Sequence, residues 1–255
     1  AGGAGAEVLA ALTSGKLGSL HEILTFSGPC WGATYTFSLD ETALAALGAA
    51  VRAGGRFPPF LSGLGFNVIR ESEDRPPINF DSFFTDIAES EEGLPACVGV
   101  LLLRGGRFGD AALASLGASR GPKLSHLRVL ALSECAMDDV LLKKVAEALS
   151  AQRCGNLEQL NLEKNRISVE GVSTFFSTLN PGSVPSLRKI TLGQQEGSEG
   201  KDSEKQFLAS VHELQAAAPS QLDSQGARGQ GLTQLGDELE TRRLRLLASL
   251  CLVLG

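Results

Sequence analysis

The sequence repeats one apolar pattern at a step of 30 residues, and this periodicity constrains the fold more than any other feature. In its clearest copy the pattern consists of Leu157, Leu160, Leu162, Asn165 and Ile167. Equivalent copies begin 30 residues earlier at Leu127, 30 residues later at Leu187 and, in a weaker form, at Cys97. A unit of this length cannot bury its own apolar face, so we expect successive units to stack on one another.

Each unit changes its apolar period half-way along. The first half alternates apolar and polar residues, which predicts a short strand. The second half repeats at helical steps of three and four residues. In two successive units the helical positions are Leu142, Val145, Ala146, Leu149 and then Val172, Phe175, Phe176, Leu179. Asp138 and Asp139 precede the first of these helices and are expected to cap its N-terminus. The sequence therefore predicts one strand and one helix per unit, with parallel strands.

These residues resemble the leucine-rich repeat family, specifically its ribonuclease-inhibitor-like class with long repeats. The resemblance is carried by Leu157, Leu160, Leu162, Asn165, Ile167, Gly171 and Leu179. It implies an α/β fold, a curved leucine-rich-repeat solenoid with parallel inner strands and outer helices. It also implies that Asn165 is buried and hydrogen-bonds the backbone of a turn, a role that Cys135 can share. Gln195 and Gly105 depart from the family pattern at this position.

The repeat pattern extends over residues 1–216 and predicts six strands, with a truncated first repeat. Three connections from a strand to the next helix are longer than the others and predict insertions at residues 27–39, 70–79 and 193–205. Because all three lie in the same type of connection, we expect them on one rim of the solenoid. Since the chain begins inside a repeat, we expect it to be a fragment or a processed product.

The C-terminal residues break the pattern. Residues 217–231 are polar and predict a linker, and leucines at near-helical spacing then predict a C-terminal helix at 232–255. The end of a stack of repeats exposes apolar surface, so the favoured role of this helix is to cap the stack. The alternatives are a helix that binds a partner or a membrane surface, and a segment that results from a wrong gene boundary.

The charge balance argues against nucleic acid as a partner. The chain has a net charge of −6, whereas binding to phosphates requires a basic stripe. A membrane partner is also disfavoured, because the apolar run at residues 246–254 is too short to span a bilayer.

Side-chain patterns provide little support for catalysis, a metal or a cofactor. The five cysteines are widely spaced and include no Cys-x-x-Cys pair, which argues against zinc and predicts reduced packing residues in a cytoplasmic protein. His21, His126 and His212 fall on different predicted elements, and none is expected in triad-like geometry. The glycine-rich stretches lack the Lys-Ser/Thr of a phosphate-binding loop. We therefore predict that the protein is not an enzyme and has no metal and no cofactor.

Side chains that point away from the core predict a partner-binding surface on the concave face of the solenoid. When every strand is aligned at the 30-residue step, the predicted contacts are Leu101, Leu103, Arg104, Arg128, Glu134, Glu158, Asn161, Glu163, Lys164, Arg188 and Lys189. The first insertion adds Trp31 and Tyr35 as rim contacts. The outward apolar residues indicate either a bound partner or a cover formed by the insertions.

Arg128, Glu158 and Arg188 occupy the same position in three successive units. We expect them to stack about 5 Å apart, which is the spacing of strands in a sheet. The simplest interpretation is a solvated ladder of ion pairs that contributes little to stability. The alternative interpretation is a charged patch that contacts a partner.

Together these expectations favour a non-enzymatic scaffold that binds a partner protein through the concave face and the insertion-bearing rim. The resemblance leaves two alternatives open. Ribonuclease-inhibitor-like repeats also occur in Ran GTPase-activating proteins and in sensor regions of innate immune receptors, so the chain could activate or inhibit an enzyme. It could also be a structural subunit of a large assembly, docked through the Trp31 and Tyr35 loop and the C-terminal helix.

Overall fold

The computed structural model describes residues 22–23, 41–54, 63–67, 79–119, 121, 123–193, 195, 209 and 251–253. In this part of the chain, seven strands form one parallel sheet in strict chain order. The strands are β1 (Glu22–Ile23), β2 (Gly63–Asn67), β3 (Val100–Arg104), β4 (Val129–Ser133), β5 (Gln159–Asn161), β6 (Lys189–Thr191) and β7 (Cys251–Val253). The described helices are α1 (Glu41–Arg52), α2 (Asp81–Glu89), α3 (Asp110–Ala118), α4 (Asp139–Gln152) and α5 (Val169–Thr178).

A helix follows each strand from β1 to β5, which confirms the predicted α/β arrangement of parallel strands and helices. Each helix contacts the next helix along the chain, and each strand pairs with the next strand. Two parallel strands cannot be joined by a tight turn, and here the intervening helix provides the crossover.

Alternate side chains of the strands enter one hydrophobic core together with the helices. Leu130 and Leu132 of β4, for example, belong to the same core as Val145 and Leu149 of α4. All eight apolar positions predicted for α4 and α5 are buried. The sheet therefore has a core face, which packs against the helices, and an outer face. The outer-face residues of β3–β6 are Val100, Leu102, Val129, Ala131, Gln159, Asn161, Lys189 and Thr191.

The register of β3 corrects one sequence prediction. Leu101 pairs with Leu130 and Leu103 pairs with Leu132, so the step between these strands is 29 residues rather than 30. Leu101 and Leu103 therefore lie on the core face, where each is 0% exposed. The prediction that they face outward is wrong. Val100–Leu103 are all apolar, so the alternation that normally specifies register is missing from this strand.

Carboxylates at helix N-termini connect successive helices. Asp138 caps α4 as predicted, because its side chain accepts a hydrogen bond from the Leu141 N–H at 2.9 Å. Asp139 instead binds the N-cap residue of α5, Ser168. It accepts hydrogen bonds from the backbone N–H and the hydroxyl of Ser168, at 2.8 and 2.6 Å. Gly171 lies so close to the Asp139 carboxylate that a Cβ at position 171 would collide with it. The absence of a side chain at Gly171 therefore permits the close approach of α4 and α5.

Buried polar side chains connect the opposite ends of the helices. The Gln152 amide accepts a hydrogen bond from the Lys123 backbone N–H at 2.5 Å and donates to the Leu116 carbonyl at 2.5 Å. Lys123 is itself buried, and its Nζ donates to the carbonyls of Ser90 and Glu91 at 2.7 and 2.8 Å. These contacts bring further donors to backbone carbonyl groups at or just beyond the C-terminal ends of α2 and α3.

The C-terminal residues Cys251–Val253 form β7, which pairs in parallel with β6. This differs from the prediction of a helix over 232–255, because these three residues form a strand. The rest of that predicted helix, the predicted linker at 217–231, and the insertion at 27–39 with Trp31 and Tyr35 lie outside the described residues. Only Asn79 from the predicted insertion at 70–79, and Gly193 and Gln195 from the one at 193–205, are described.

Candidate functional site

The backbone takes the same unusual conformation where three successive strands end. Gly105, Glu134 and Lys164 directly follow or closely follow β3, β4 and β5, and their φ angles are 79°, 55° and 54°. This left-handed region is readily available to glycine but costs about 1 kcal/mol for other residues. Glu134 and Lys164 adopt this left-handed conformation although neither is glycine. Stabilising contacts from the surrounding turn offset the cost.

A buried asparagine provides such contacts beneath the turn after β5. The Asn165 side-chain oxygen accepts hydrogen bonds from the Cys135 and Met137 N–H groups at 3.0 and 3.1 Å. Its amide nitrogen donates to the Leu132 and Leu162 carbonyls at 2.8 and 2.9 Å. Asn165 is fully buried. The predicted role of this position, a buried amide that bonds the turn backbone, is confirmed.

Gln195 repeats this hydrogen bonding in the next unit. Its side-chain oxygen accepts a hydrogen bond from the Ile167 N–H at 3.2 Å, and its nitrogen donates to Leu162 and Leu192 at 2.9 and 3.0 Å. The sequence predicted irregularity here, because glutamine departs from the family pattern. The structure shows that the longer side chain reaches equivalent backbone groups.

Cys135 continues the same series in the preceding unit. Its thiol donates to the Leu103 and Ser133 carbonyls, with Sγ–O distances of 3.6 and 3.3 Å. Burial raises the pKa of this thiol far above its ordinary value, so the sulfur stays protonated as a donor. Gly105 is not the counterpart of Cys135, because the 29-residue step aligns Gly105 with Glu134.

Above these buried side chains, the C-terminal ends of the strands carry a row of ion pairs formed by Arg104, Glu134 and Lys164, here called the Glu134 row. The Arg104 guanidinium donates to both Glu134 oxygens, from Nε at 2.9 Å and from Nη2 at 2.8 Å. Lys164 Nζ lies 2.8 Å from the Glu134 Oε1 atom. The hydrogen bond from Arg104, followed by that from Lys164, lowers the pKa of Glu134 to about 2 although its burial acts in the opposite direction.

A second row lies at the opposite ends of the strands, one residue before β4, β5 and β6. Arg128 Nε lies 3.4 Å from Glu158 Oε1, and Arg188 Nη2 lies 3.3 Å from Glu158 Oε2. This Arg128 row confirms the predicted stacking of the three residues. The two arginine side chains are 66% and 70% exposed, whereas that of Glu158 is 26% exposed. Both distances exceed 3 Å, and within the described part of the chain each arginine makes one ion pair, so most guanidinium N–H groups face solvent.

The backbone beneath the Arg128 row is regular. The N–H groups of Glu158 and Gln159 both donate to the Arg128 carbonyl, at 2.8 and 3.0 Å. In the same way, the N–H groups of Arg188 and Lys189 both donate to the Glu158 carbonyl, at 3.0 and 3.1 Å. The charged side chains therefore project from hydrogen-bonded strand ends rather than from a long loop.

Polar contacts also occur between the two rows. On β5, Asn161 Nδ2 donates to Glu163 at 2.9 Å, and the Glu163 N–H donates back to the Asn161 side chain at 2.9 Å. Lys189 has no ion-pair partner among the residues that the structure describes. On β3 and β4, Leu102 and Ala131 replace these polar groups. Nine of the predicted surface residues thus lie on the outer face or on the rows that flank it, whereas Leu101 and Leu103 do not.

Among the described residues, no three histidine, cysteine, aspartate or glutamate side chains lie close enough together to hold a metal ion. None of the helices described is long and apolar enough to cross a membrane. Cys135 and Cys154 are buried free thiols, and burial raises the pKa of Cys154 to about 12.

Neither a protein-family model nor a curated protein matches the chain. Among solved structures, that of the leiomodin-1 actin-binding site 2 is similar to 94% of this chain and 87% of that chain, at 12% sequence identity. The TM-score of this match is 0.26, so it carries no argument about fold or function.

Proposed function

We propose that the chain is a leucine-rich repeat protein of the ribonuclease-inhibitor-like class, folded as a curved solenoid over residues 1–216. We further propose that it is a cytoplasmic scaffold that binds a partner protein through the outer face of its sheet. The strict order of the parallel strands supports the first proposal, as does the buried hydrogen bonding of Cys135, Asn165 and Gln195. The free thiols of Cys135 and Cys154 support a reducing compartment.

The observation that carries the binding function is the pair of charged rows at the two ends of the strands. Ion-paired side chains are presented at a regular spacing along successive strands, on backbone that is fixed by sheet hydrogen bonds. Such a surface loses little backbone conformational entropy when a partner binds, because the strands that carry the side chains are already ordered. Polar and charged groups of this kind provide specificity at the rim of a protein interface.

A charge-reversal experiment tests this proposal. The variant carries Glu158→Arg, Glu163→Arg and Arg188→Glu, which invert three charges of the outer face and the Arg128 row. The native chain and the variant are used to purify partners from an extract of the source cells, with quantification by mass spectrometry. We expect a partner that is recovered by the native chain to be lost with the variant, because like charges then oppose each other across the interface.

The matched control exchanges a charged pair on a different surface. Lys143 and Glu147 lie one helical turn apart on α4, 3.9 Å from each other, and both are about half exposed. The Lys143→Glu, Glu147→Lys double variant retains this pair in reverse and should recover the partner normally. Equal recovery with all three proteins would contradict the assignment of the outer face as the binding surface.

A further inference from the structure

The region around the outer face has a local charge opposite to that of the whole chain. The outer face, Glu163 and the two rows together carry five cations, namely Arg104, Arg128, Lys164, Arg188 and Lys189. Against them stand three carboxylates, those of Glu134, Glu158 and Glu163. Two positive charges therefore remain on this surface, although the chain as a whole carries a net charge of −6.

The two rows differ in how completely their cations are neutralised. Arg104 uses Nε and Nη2 on one carboxylate in a tight pair and is only 27% exposed, so it has little capacity for another ligand. Arg128 and Arg188 share the single Glu158 carboxylate at longer distances and are mainly exposed. A guanidinium can bind a carboxylate through two parallel N–H groups, and both arginines retain such an edge.

From this arrangement we infer that Arg128 and Arg188 bind an acidic segment of a partner protein. The inference rests on the proposed scaffold function and specifies the chemistry of the partner. Glu158 holds the two guanidinium groups on either side of one carboxylate, so two further carboxylates can approach their outer edges. Lys189, which directly follows Arg188 and has no ion-pair partner in the described residues, is a third cation at the same end of the sheet.

The excess of two positive charges fits a peptide better than a nucleic acid. A nucleic acid carries a phosphate at every nucleotide, and its recognition requires an extended basic stripe. Here carboxylates interrupt both rows, and because the whole chain carries −6 and this region +2, the rest of the chain carries a net charge of −8. An acidic peptide can place a few carboxylates against Arg128 and Arg188 without bringing further negative charge close to the rest of the chain.

The test measures binding of a fluorescent oligoglutamate peptide to the full chain by fluorescence anisotropy. We expect Arg128→Gln and Arg188→Gln each to weaken binding by about fivefold, and the double variant by about 25-fold. Glu158→Gln should strengthen binding by about threefold, because it removes the carboxylate that competes for both arginines. Lys143→Gln, which removes one exposed cation from α4, should leave binding within about twofold of native.

The opposite responses to the arginine and glutamate variants exclude a merely structural effect, since partial unfolding would weaken binding in every variant. Thermal unfolding of each variant confirms that it is folded. The inference is overturned if Glu158→Gln weakens binding, or if an oligolysine peptide binds more tightly than oligoglutamate. It is also overturned if Lys143→Gln matches the arginine variants, or if a single-stranded oligonucleotide binds in place of the peptide.

Failure of this inference is distinguishable from failure of the proposed function. If the native chain recovers a partner through the outer face but does not bind oligoglutamate, the scaffold stands and the acidic chemistry of the partner is wrong. If partner recovery does not depend on the outer face, the scaffold assignment itself is wrong.

Discussion

The two ends of the parallel strands carry the same alternation of cation, carboxylate and cation but differ in structure. At the C-terminal ends, Glu134 accepts tight hydrogen bonds from Arg104 and lies directly above buried side chains that bind the turn. At the N-terminal ends, Arg128 and Arg188 approach Glu158 from solvent at more than 3 Å. The charge pattern alone therefore does not indicate what a row of ion pairs does.

This difference has a physical basis. A buried or bidentate contact replaces water with well-oriented partners, so its removal leaves polar groups unsatisfied and lowers stability. In a long contact between exposed side chains, both charged groups remain hydrated, so the contact contributes little to the free energy of unfolding. We expect the C-terminal ends to determine stability and the N-terminal ends to be available for binding.

The largest expected effect in this comparison comes from Asn165→Leu. Leucine has the same number and branching of side-chain heavy atoms but cannot bond the N–H groups of Cys135 and Met137 or the carbonyls of Leu132 and Leu162. Several buried groups would lose their partners, so we expect the free energy of unfolding to fall by about 4 kcal/mol. Urea denaturation followed by circular dichroism measures this change.

The control for that prediction is Asn156→Leu. Asn156 is exposed and donates one hydrogen bond, to the Ser125 carbonyl at 2.9 Å. Its replacement should cost less than about 1 kcal/mol. If both asparagine variants had similar stability, the strand ends would not depend on the buried amide.

Gln195→Leu should have the next largest effect, about 3 kcal/mol, because it removes the buried hydrogen bonds to Ile167, Leu162 and Leu192. Gln195→Asn sharpens the comparison. Asparagine retains the amide but is one methylene shorter, so it should restore only part of the lost stability. Full restoration in the same urea experiment would show that the reach of the side chain is unimportant at this position.

Most of the repeating architecture could be predicted because its signals are local. The helical spacing of Leu142, Val145 and Leu149 and the alternation around Leu160 both identify the face that is buried. The role of Asn165 followed from the resemblance to a known repeat. Features that are determined inside a single repeat unit can therefore be predicted from the sequence.

The sequence predictions that are wrong concern contacts between different repeat units. The uninterrupted apolar run in β3 contains no polar residue to mark its outer face, so its register is evident only from its neighbours. Asp139 accepts hydrogen bonds from Ser168, the N-cap residue of the next helix 29 residues away, a pairing that proximity in sequence does not indicate. The apolar C-terminal run is compatible with a helix or a strand, and pairing with β6 determines the structure of Cys251–Val253.

Glu134→Gln tests the C-terminal row through its pH dependence. Glutamine removes the charge that Arg104 and Lys164 share, and we expect a loss of about 2 kcal/mol at neutral pH. The pKa of Glu134 is lowered from 4.5 to about 2 in the folded chain. Its contribution is therefore fully present above about pH 4.5 and is lost as the pH falls toward 2. Native and variant unfolding curves should converge across this range.

A difference between the two proteins that stays constant from pH 6 to about pH 2 would contradict this account, because the lost contribution would then not depend on the carboxylate charge. Glu158→Gln is the matched variant from the N-terminal row. Its contacts are longer than those of Glu134, so at neutral pH we expect Glu158→Gln to cost less stability than Glu134→Gln.

The smallest expected effect is that of Arg128→Gln on stability. Arg128 is 66% exposed, and its one contact with Glu158 is 3.4 Å long, so the free energy of unfolding should change by less than about 0.5 kcal/mol. The same substitution is expected to weaken binding of an acidic peptide severalfold, and the Lys143→Gln control should change neither property. A loss of stability comparable to that of Glu134→Gln would mean that both rows are structural. The distinction between the two ends of the strands would then be wrong, because Arg128 would already be engaged in holding β4 and β5 together.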